Sequence, residues 1–200
     1  MVTGIYTNWA RPHHMPRIIE DCKNQTVDVD IHVINNGEPI ELDATVHQYD
    51  NSAKCWQRWL FAAKVKTPYL FVMDDDLTFG TPHELSKCLS YLFAHPNINC
   101  VGYTGVKYNG RYFGSPHFSG VSTPFDVDIV KGRFMFMRTK ALKGLDLEPD
   151  LTCDDIKVSS HIKGKRVIPL KFENLKEGPE AVFLQKGQKE KREIACKKYL

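Results

Sequence analysis

The sequence predicts a single α/β domain built on a mixed, mainly parallel central sheet that is flanked by helices. Three observations indicate this class. The run "VDVDIHVIN" (27–35) alternates apolar and polar residues with period two, as a half-covered strand does. Residues 15–24 carry an apolar stripe at helical spacing, and "YLFVM" (69–73) is a short apolar run typical of a central strand buried on both faces. Strands and helices therefore alternate along the first half of the chain, as they do around a parallel sheet.

Turn and capping residues set the boundaries of these elements. Pro12 and Pro16 bracket the start of the first helix, because proline is accepted in the first helical turn. Asn51 or Ser52 is the expected N-cap of the second helix. The predicted elements of the first half are strands over 3–7, 27–35 and 69–73 and helices over 15–24, 51–65 and 81–95.

The second half of the chain has a different character. Residues 99–137 are rich in glycine and in residues that favour strands. Helices are expected over 139–144 and 153–163, and "RVIPL" (166–170) predicts one more strand. In a domain of this kind, ligands bind beyond the carboxyl ends of the parallel strands.

The composition is that of an ordinary globular protein: 42% of the 200 residues are hydrophobic and 26% are charged. No stretch approaches the ~20 apolar residues of a transmembrane helix. The first residues do not form a secretory signal, which predicts a cytoplasmic protein, or one of the host cytoplasm if the source is a virus. The six cysteines include no C-x-x-C pair, so reduced thiols are expected rather than disulfides or a zinc site. The oligomeric state stays open.

Three consecutive aspartates, Asp74, Asp75 and Asp76, follow the predicted buried strand. Three like charges at a strand end repel one another. A hard cation such as Mg²⁺ or Mn²⁺ removes that conflict and leaves coordination positions for phosphate oxygens. In extended chain, Asp74 and Asp76 point to one side and Asp75 to the other. The alternative is that these acids cap the following segment or pair with Lys and Arg.

Several segments, in the expected order, resemble the GT-A glycosyltransferases of the family-2-like kind, which transfer sugar from a nucleotide diphosphate sugar. The resemblance covers roughly residues 2–170, and the aspartate triplet resembles the D-x-D motif of that family. It implies a GT-A (Rossmann-like) fold and a metal-dependent transfer, with UDP-sugar as the expected donor. The matching segments are "IYTNWARP" (5–12), "VINNG" (33–37), "NSAKCWQRW" (51–59), "FVMDDDL" (71–77), "VKGRFMFMRTKAL" (130–142) and "LTCDDIKVSSHIKGKRV" (151–167).

The resemblance implies which residues hold the donor. Asp76 and Asp74 would bind Mn²⁺ or Mg²⁺, with Asp75 able to take either role. Relatives often have a late His in the metal shell; His161 is the last His here, so it fills that position or the ligand is absent. The alternatives are strand-end turns for the asparagines and surface positions for the arginines. The implied nucleotide-sugar residues are Thr7, Asn8, Trp9, Arg11, Asn35, Asn36, Asn51, Arg58, Asp74 and Asp75.

The resemblance also implies a catalytic base at the start of the helix over 153–163. Asp155 is the favoured base and Asp154 the second candidate; simple N-capping is the alternative for both. The base would take the proton of an acceptor hydroxyl as that oxygen attacks the anomeric carbon, and one such displacement inverts the anomeric centre.

The chain is expected to divide into a GT-A catalytic domain, 1–170, and a C-terminal lid and basic tail, 171–200. Residues 1–100 would bind the nucleotide and 101–170 the acceptor. "KFENLKEGPEAVFLQKGQ" (171–188) is the expected lid.

The acceptor is left open between a glycan and DNA. Small GT-A proteins resemble phage-type enzymes that glycosylate hydroxymethylated pyrimidines, and here aromatic residues would stack on a flipped base while basic residues follow phosphates. A solvated terminal helix is the alternative for the tail. Two other functions are alternatives to the glycosyltransferase: a nucleotidyltransferase and a non-catalytic nucleic-acid-binding domain. The residues suggested for DNA are Tyr103, Tyr108, Tyr112, Phe113, Lys107, Arg111, Lys131, Arg133, Lys140, Lys186, Lys189, Lys191, Arg192, Lys197 and Lys198.

Overall fold

The computed structural model describes residues 1–151, 153–175 and 187–200. Within these ranges the helices are α1 Met15–Lys23, α2 Gln57–Ala62, α3 Glu84–Ala94, α4 Asp154–His161 and α5 Gln188–Tyr199. Short 3₁₀ turns lie at Pro12–His14, Lys54–Trp56, Tyr112–Gly114 and Thr139–Leu142. The strands are β1 Val2–Asn8, β2 Val29–Asn35, β3 Thr45–Gln48, β4 Tyr69–Asp74, β5 Leu77–Phe79, β6 Cys100–Gly102, β7 Thr104–Val106, β8 His117–Ser119, β9 Phe125–Asp126, β10 Ile129–Val130, β11 Phe134–Arg138, β12 Lys165–Val167 and β13 Phe172–Asn174.

The central sheet has eight strands in the order β3-β2-β1-β4-β11-β6-β12-β9. β11 runs antiparallel to β4 and β6, and β9 runs antiparallel to β12, while the other neighbours are parallel. The prediction of a mixed, mainly parallel α/β sheet is confirmed. Two smaller sheets, β10-β7-β8 and β13-β5, lie beside it.

β4 lies near the middle of the sheet and separates its two hydrophobic cores. Phe71 and Met73 pack with α1 and α3 on one face, whereas Leu70 and Val72 pack with α2 and α4 on the other. All four side chains are fully buried. The apolar run over 69–73 is therefore buried on both faces, as predicted, because successive side chains of a strand point to opposite sides.

The second helix is shorter than the sequence suggests. Asn51 and Lys54 have positive φ, of 62° and 47°, which ends any regular helix at these positions. Only a 3₁₀ turn and α2 remain of the predicted helix over 51–65, and neither has a side-chain cap. The expectation that Asn51 or Ser52 caps a helix here is wrong.

A third hydrophobic cluster lies on the side of the smaller sheet. It joins Val106, Tyr112 and Ile129 to Cys153 and Ile156 of the α4 region and to Ala195 and Cys196 of α5. The C-terminal helix is thus packed against the domain.

The expected thiols are found in the cores. Burial raises the pKa of Cys22 and of Cys100 to about 12, so both stay protonated at neutral pH. Among the described residues, no helix combines the length and the apolar composition needed to cross a bilayer.

Gly37 follows β2 at a point where the chain passes very close to Trp9. A Cβ at this position would lie 2.1 Å from the Trp9 carbonyl oxygen. We expect Gly37→Ala to lower the free energy of unfolding by about 1–3 kcal/mol, because the backbone must shift to remove the overlap. Urea denaturation measures this change.

Gly114→Ala is the matched control. Its added Cβ meets nothing closer than Arg111 Cβ, at 3.5 Å. Equal stability losses for the two substitutions would contradict the close approach at Gly37.

Candidate active site

Polar side chains end three neighbouring strands at one edge of the sheet. The register pairs Thr7 of β1 with Asp74 of β4, and Asn8 of β1 with Asn35 of β2. Parallel strands bring their carboxyl ends to the same edge, so the sequence-predicted residues of the first, second and fourth strands meet there.

The aspartate triplet does not continue the strand. β4 ends at Asp74, and Asp75 and Asp76 form a turn before β5. Arg11 lies between the carboxylates of these two, with Nε 3.2 Å from Asp75 and Nη1 3.3 Å from Asp76. Asp74 faces elsewhere, toward Arg58. The expectation that Asp74 and Asp76 share a side is wrong, because alternation applies only while the chain stays extended.

Arginines neutralise all three carboxylates. Arg58 Nη1 donates to Asp74 at 2.6 Å, and Arg133 donates to Asp76 from Nε at 3.3 Å and from Nη2 at 3.1 Å. Pairing with arginine, the expected alternative to a metal, is therefore present at all three aspartates.

Burial makes the ionised forms of Asp74 and Asp75 costly. Desolvation raises the pKa of Asp74 and of Asp75 to about 6, although the nearby guanidiniums of Arg58 and Arg11 act in the opposite direction. These carboxylates therefore exchange protons close to physiological pH.

Asp154 is the fixed acid of the pair at the start of α4. Its Oδ2 accepts hydrogen bonds from Arg58 Nε at 3.1 Å, Arg58 Nη2 at 2.7 Å and Trp59 Nε1 at 2.7 Å. Arg58 is 2% exposed and also donates to the Gly132 carbonyl at 3.3 Å. Asp154 thus anchors α4 to α2.

Asp155 is the other acid of the pair. Its Oδ1 accepts the Ile156 amide at 3.0 Å, and its Oδ2 accepts the Gly132 amide at 3.4 Å and Arg192 Nη2 at 2.6 Å. Arg192 belongs to α5, a contact that nothing in the local sequence indicates.

The asparagines have different functions in the fold. The Asn35 amide donates to the Glu38 carbonyl and to Gln48, and its oxygen accepts from Asn8, so this side chain is fully used within the protein. Asn36 donates to the Lys54 carbonyl. Among the described residues, three buried oxygens at this edge have no partner: Thr7 Oγ1, Asn8 Oδ1 and Asn36 Oδ1.

Two further candidates lie at the surface. Trp9 is 43% exposed next to the triplet, and its amide donates to Asp75 at 3.4 Å. Asn51 lies in the left-handed turn before α2 and is half-buried.

His161 lies at the last residue of α4, about 10 Å along the helix axis from Asp154. Its Nε2 contacts the Lys143 carbonyl at 3.2 Å. The structure does not bring His161 to the aspartate triplet.

Carboxylate oxygens are the ligands that Mg²⁺ and Mn²⁺ prefer, so the triplet has suitable donors. The described part of the chain contains no group of three His, Cys, Asp or Glu side chains arranged to hold a metal. Such ions are commonly held by one or two carboxylates together with substrate phosphates, so the donor set fits a metal that arrives with its diphosphate.

The residues suggested for DNA have mixed placements. Tyr112 is buried, so its ring is closed to stacking on a base, whereas Tyr103 packs partly buried on Phe172 and Phe113 is half exposed. Arg133 pairs with Asp76 rather than with solvent. Lys186 and most of the expected lid lie outside the described residues, and Phe172–Asn174 forms β13.

No family model and no curated protein sequence matches the chain. Solved structures do match it. S. aureus TarS, residues 1–349 in complex with UDP-GlcNAc, has a TM-score of 0.70 at 15% identity over 92% of this chain and 61% of that one. The mannosyltransferase PcManGT from Pyrobaculum calidifontis, in complex with GDP-Man and Mn²⁺, has a TM-score of 0.61 at 14% identity over 90% of this chain and 57% of that one.

The likeness to these structures confirms the predicted GT-A fold. The chain spans about six tenths of the length of TarS 1–349 and somewhat less of PcManGT.

Ionisation of Asp75 is expected to destabilise the folded protein. The folded state, in which the pKa is about 6, binds this proton more tightly than the unfolded state with its value of 3.8. The cost is therefore complete above pH about 6 and absent below pH about 4. We expect Asp75→Asn to raise the free energy of unfolding by roughly 1–3 kcal/mol at neutral pH. Arg11 keeps Asp76 as its partner in this variant.

Urea denaturation between pH 8 and pH 4 measures the effect, and the gain should disappear as the pH falls. Asp43→Asn, at an exposed carboxylate, is the control. A gain for Asp75→Asn that does not depend on pH would show that ionisation is not its cause.

Proposed function

We propose that this protein is a metal-dependent glycosyltransferase that moves a sugar from a nucleotide diphosphate sugar, with UDP-sugar as the expected donor, to an acceptor hydroxyl with inversion. One observation carries the proposal. The arginine-paired aspartate triplet and the acid pair Asp154–Asp155 are joined through Arg58 and Gly132 at the ligand-binding edge of a GT-A fold. The complexes of TarS with UDP-GlcNAc and of PcManGT with GDP-Man and Mn²⁺ support a donor of this class.

The donor diphosphate would exchange partners with the arginines. Arg11 and Arg133 hold carboxylates through ion pairs at 3.1–3.3 Å, and their guanidiniums also suit phosphate oxygens. When the diphosphate arrives with Mn²⁺ or Mg²⁺, the arginines can turn to the phosphates and release Asp76, with Asp74 or Asp75, to the ion. The ion supplies charge neutralisation of the leaving diphosphate.

The unpartnered oxygens of Thr7, Asn8 and Asn36 suit the hydroxyl and N–H groups of a nucleoside. A buried acceptor without a partner costs free energy, which a donated hydrogen bond recovers. Trp9 offers an exposed ring beside them. Asn35 is the poorest candidate for direct contact, since its side chain is already committed.

Asp155 is the better candidate for the base. Asp154 accepts three hydrogen bonds on a single oxygen from Arg58 and Trp59, and releasing it would leave the buried Arg58 charge with less compensation. Within the described part of the chain, Asp155 forms its ion pair with Arg192 alone. It would take the proton of the acceptor hydroxyl as the diphosphate leaves.

A glycan and a hydroxymethylated pyrimidine in DNA both stay candidate acceptors. The burial of Tyr112 removes one ring suggested for stacking on a flipped base, which favours the glycan. A nucleotidyltransferase would release pyrophosphate instead of a nucleoside diphosphate, so a product assay separates the two reactions.

Donor binding is expected to require the cation and Asp76. A ligand at 100 times its Kd stabilises the native state by about 2.7 kcal/mol, so the fitting nucleotide sugar with Mn²⁺ should raise the melting temperature by several degrees. Asp76→Asn should lose this increase. A thermal-shift panel of nucleotide sugars, with and without chelator, measures both.

Asp43→Asn, which changes an exposed carboxylate outside the triplet, should bind the nucleotide sugar as the wild type does. An increase in melting temperature that persists both with the chelator and in Asp76→Asn would show that donor binding does not depend on a metal.

The two acids of α4 are expected to fail in different ways. Asp155→Asn should lower turnover by about 10²–10⁴-fold with donor binding unchanged, because it removes a general base. Asp154→Asn should lower the free energy of unfolding by about 3 kcal/mol, because it removes a partner from the buried Arg58. Release of nucleoside diphosphate and urea denaturation measure the two effects. If Asp154→Asn folds normally and has the larger loss of turnover, the roles are reversed.

A further inference from the structure

The C-terminal helix α5 covers the acceptor side of the site. It packs against α4 and against the 3₁₀ turn Tyr112–Gly114. The Glu193 carboxylate accepts the amides of Tyr112 at 2.9 Å and Phe113 at 3.1 Å. This docking brings the neighbouring side chain, Arg192, into the site.

Arg192 closes over the proposed base. Its Nη2 donates to Asp155 Oδ2 at 2.6 Å, and its guanidinium lies over the Tyr112 ring, 4.5 Å from the centroid. The Asp155 side chain is left only 7% exposed. The Arg192 Nε is buried without a hydrogen-bond partner in the described part of the chain, so the pair is not fully satisfied.

This arrangement engages both carboxylate oxygens of Asp155 in hydrogen bonds. Oδ1 accepts the Ile156 amide, and Oδ2 accepts Arg192 and faces the Gly132 amide. A general base must come within hydrogen-bond reach of the hydroxyl whose proton it takes. An acceptor hydroxyl and Arg192 therefore compete for the same carboxylate oxygen.

The helix that carries Arg192 is held mainly by polar contacts. Ala195 and Cys196 are its buried apolar residues in the described structure, and Ile194 is 59% exposed. Tyr199 adds a hydrogen bond from its hydroxyl to Asp150 at 2.9 Å. Two small apolar side chains bury little area, so α5 belongs to the elements that open locally at low cost.

We propose that α5 is an autoinhibitory latch, in which Arg192 blocks Asp155 until α5 undocks or the arginine turns away. The proposal rests on the proposed function, because it takes Asp155 as the base. It assigns to the basic C-terminal helix a role inside the molecule, at the acid that receives the acceptor proton.

Three variants of neighbouring residues in α5 test the latch. Arg192→Ala removes the block, and Glu193→Gln weakens docking without touching Asp155. Glu190→Gln is the matched control, because it makes the same change as Glu193→Gln at an exposed position of the same helix. The rate of donor hydrolysis with Mn²⁺, read as nucleoside diphosphate release, should rise about tenfold in Arg192→Ala, as expected for loss of one charge-assisted hydrogen bond. It should rise by a smaller factor in Glu193→Gln and stay unchanged in Glu190→Gln.

A second measurement reports docking independently of activity. The Tyr112 and Phe113 amides donate to Glu193, so their hydrogen exchange should become faster in Glu193→Gln and stay slow in Glu190→Gln. Combining Arg192→Ala with Asp155→Asn should abolish the gain in hydrolysis, because the arginine acts through that carboxylate.

The outcomes separate this proposal from the proposed function. If the donor binds and hydrolysis falls in Arg192→Ala and in Glu193→Gln, then α5 positions Asp155 for catalysis and the latch is wrong. Unchanged hydrolysis with faster exchange would also overturn it, since undocking would then not free the base. If no nucleotide sugar binds to the wild type or to any variant, the proposed function fails and the latch fails with it.

Discussion

The site depends on the buried charge of Arg58. A guanidinium that is 2% exposed must be paired, and it is paired with Asp74 at the end of β4 and with Asp154 at the start of α4. These acids lie 16 and 96 residues from Arg58 in the sequence. One side chain therefore fixes the aspartate triplet and the proposed base helix in a single geometry, because moving either would leave a charge uncompensated in the interior.

Gly132 makes this geometry possible. Its carbonyl accepts from Arg58 and its amide donates to Asp155, so the backbone passes between the two halves of the site. A Cβ there would lie 2.5 Å from Arg58 Nη2 and 3.3 Å from Asp155 Cβ. The close approach of the backbone to two side chains thus explains the glycine of "VKGRF". The sequence shows this glycine but not the side chains that it contacts.

Local patterns in the sequence predicted most helices and strands. They did not predict the contacts between residues that are far apart in the sequence. The alternating burial over the first residues of β2 and the two-sided burial of β4 follow from residue spacing alone. The end of β2 departs from the expected half-covered strand, because Val33, Ile34 and Asn35 are all fully buried. The directions of the three aspartate side chains could not be predicted from strand alternation. The strand ends at Asp74, and the turn that follows places both Asp75 and Asp76 against Arg11. The resemblance implies a nucleotide-sugar contact for Arg58, whereas its partner Asp154 is distant in the chain and could not be read from the sequence. Arg192 was grouped with surface lysines of the tail, since α5 has too few apolar residues to reveal which side is covered.

The packing also separates the two halves of the site in stability. The edge that we propose binds the donor rests on the two hydrophobic cores that flank the central sheet, whereas α5, Tyr112 and the start of α4 share a third, smaller cluster. Local opening is cheapest where few apolar contacts are lost, so the region around α5 can loosen while the triplet and its arginines stay in place. Arg58 lies at the boundary between these two regions. It holds Asp154 on the side of the two large cores, whereas the adjacent Asp155 faces the third cluster, which can open. A one-residue step along α4 thus separates an acid held by Arg58 and Trp59 of α2 from the acid that we propose as the base.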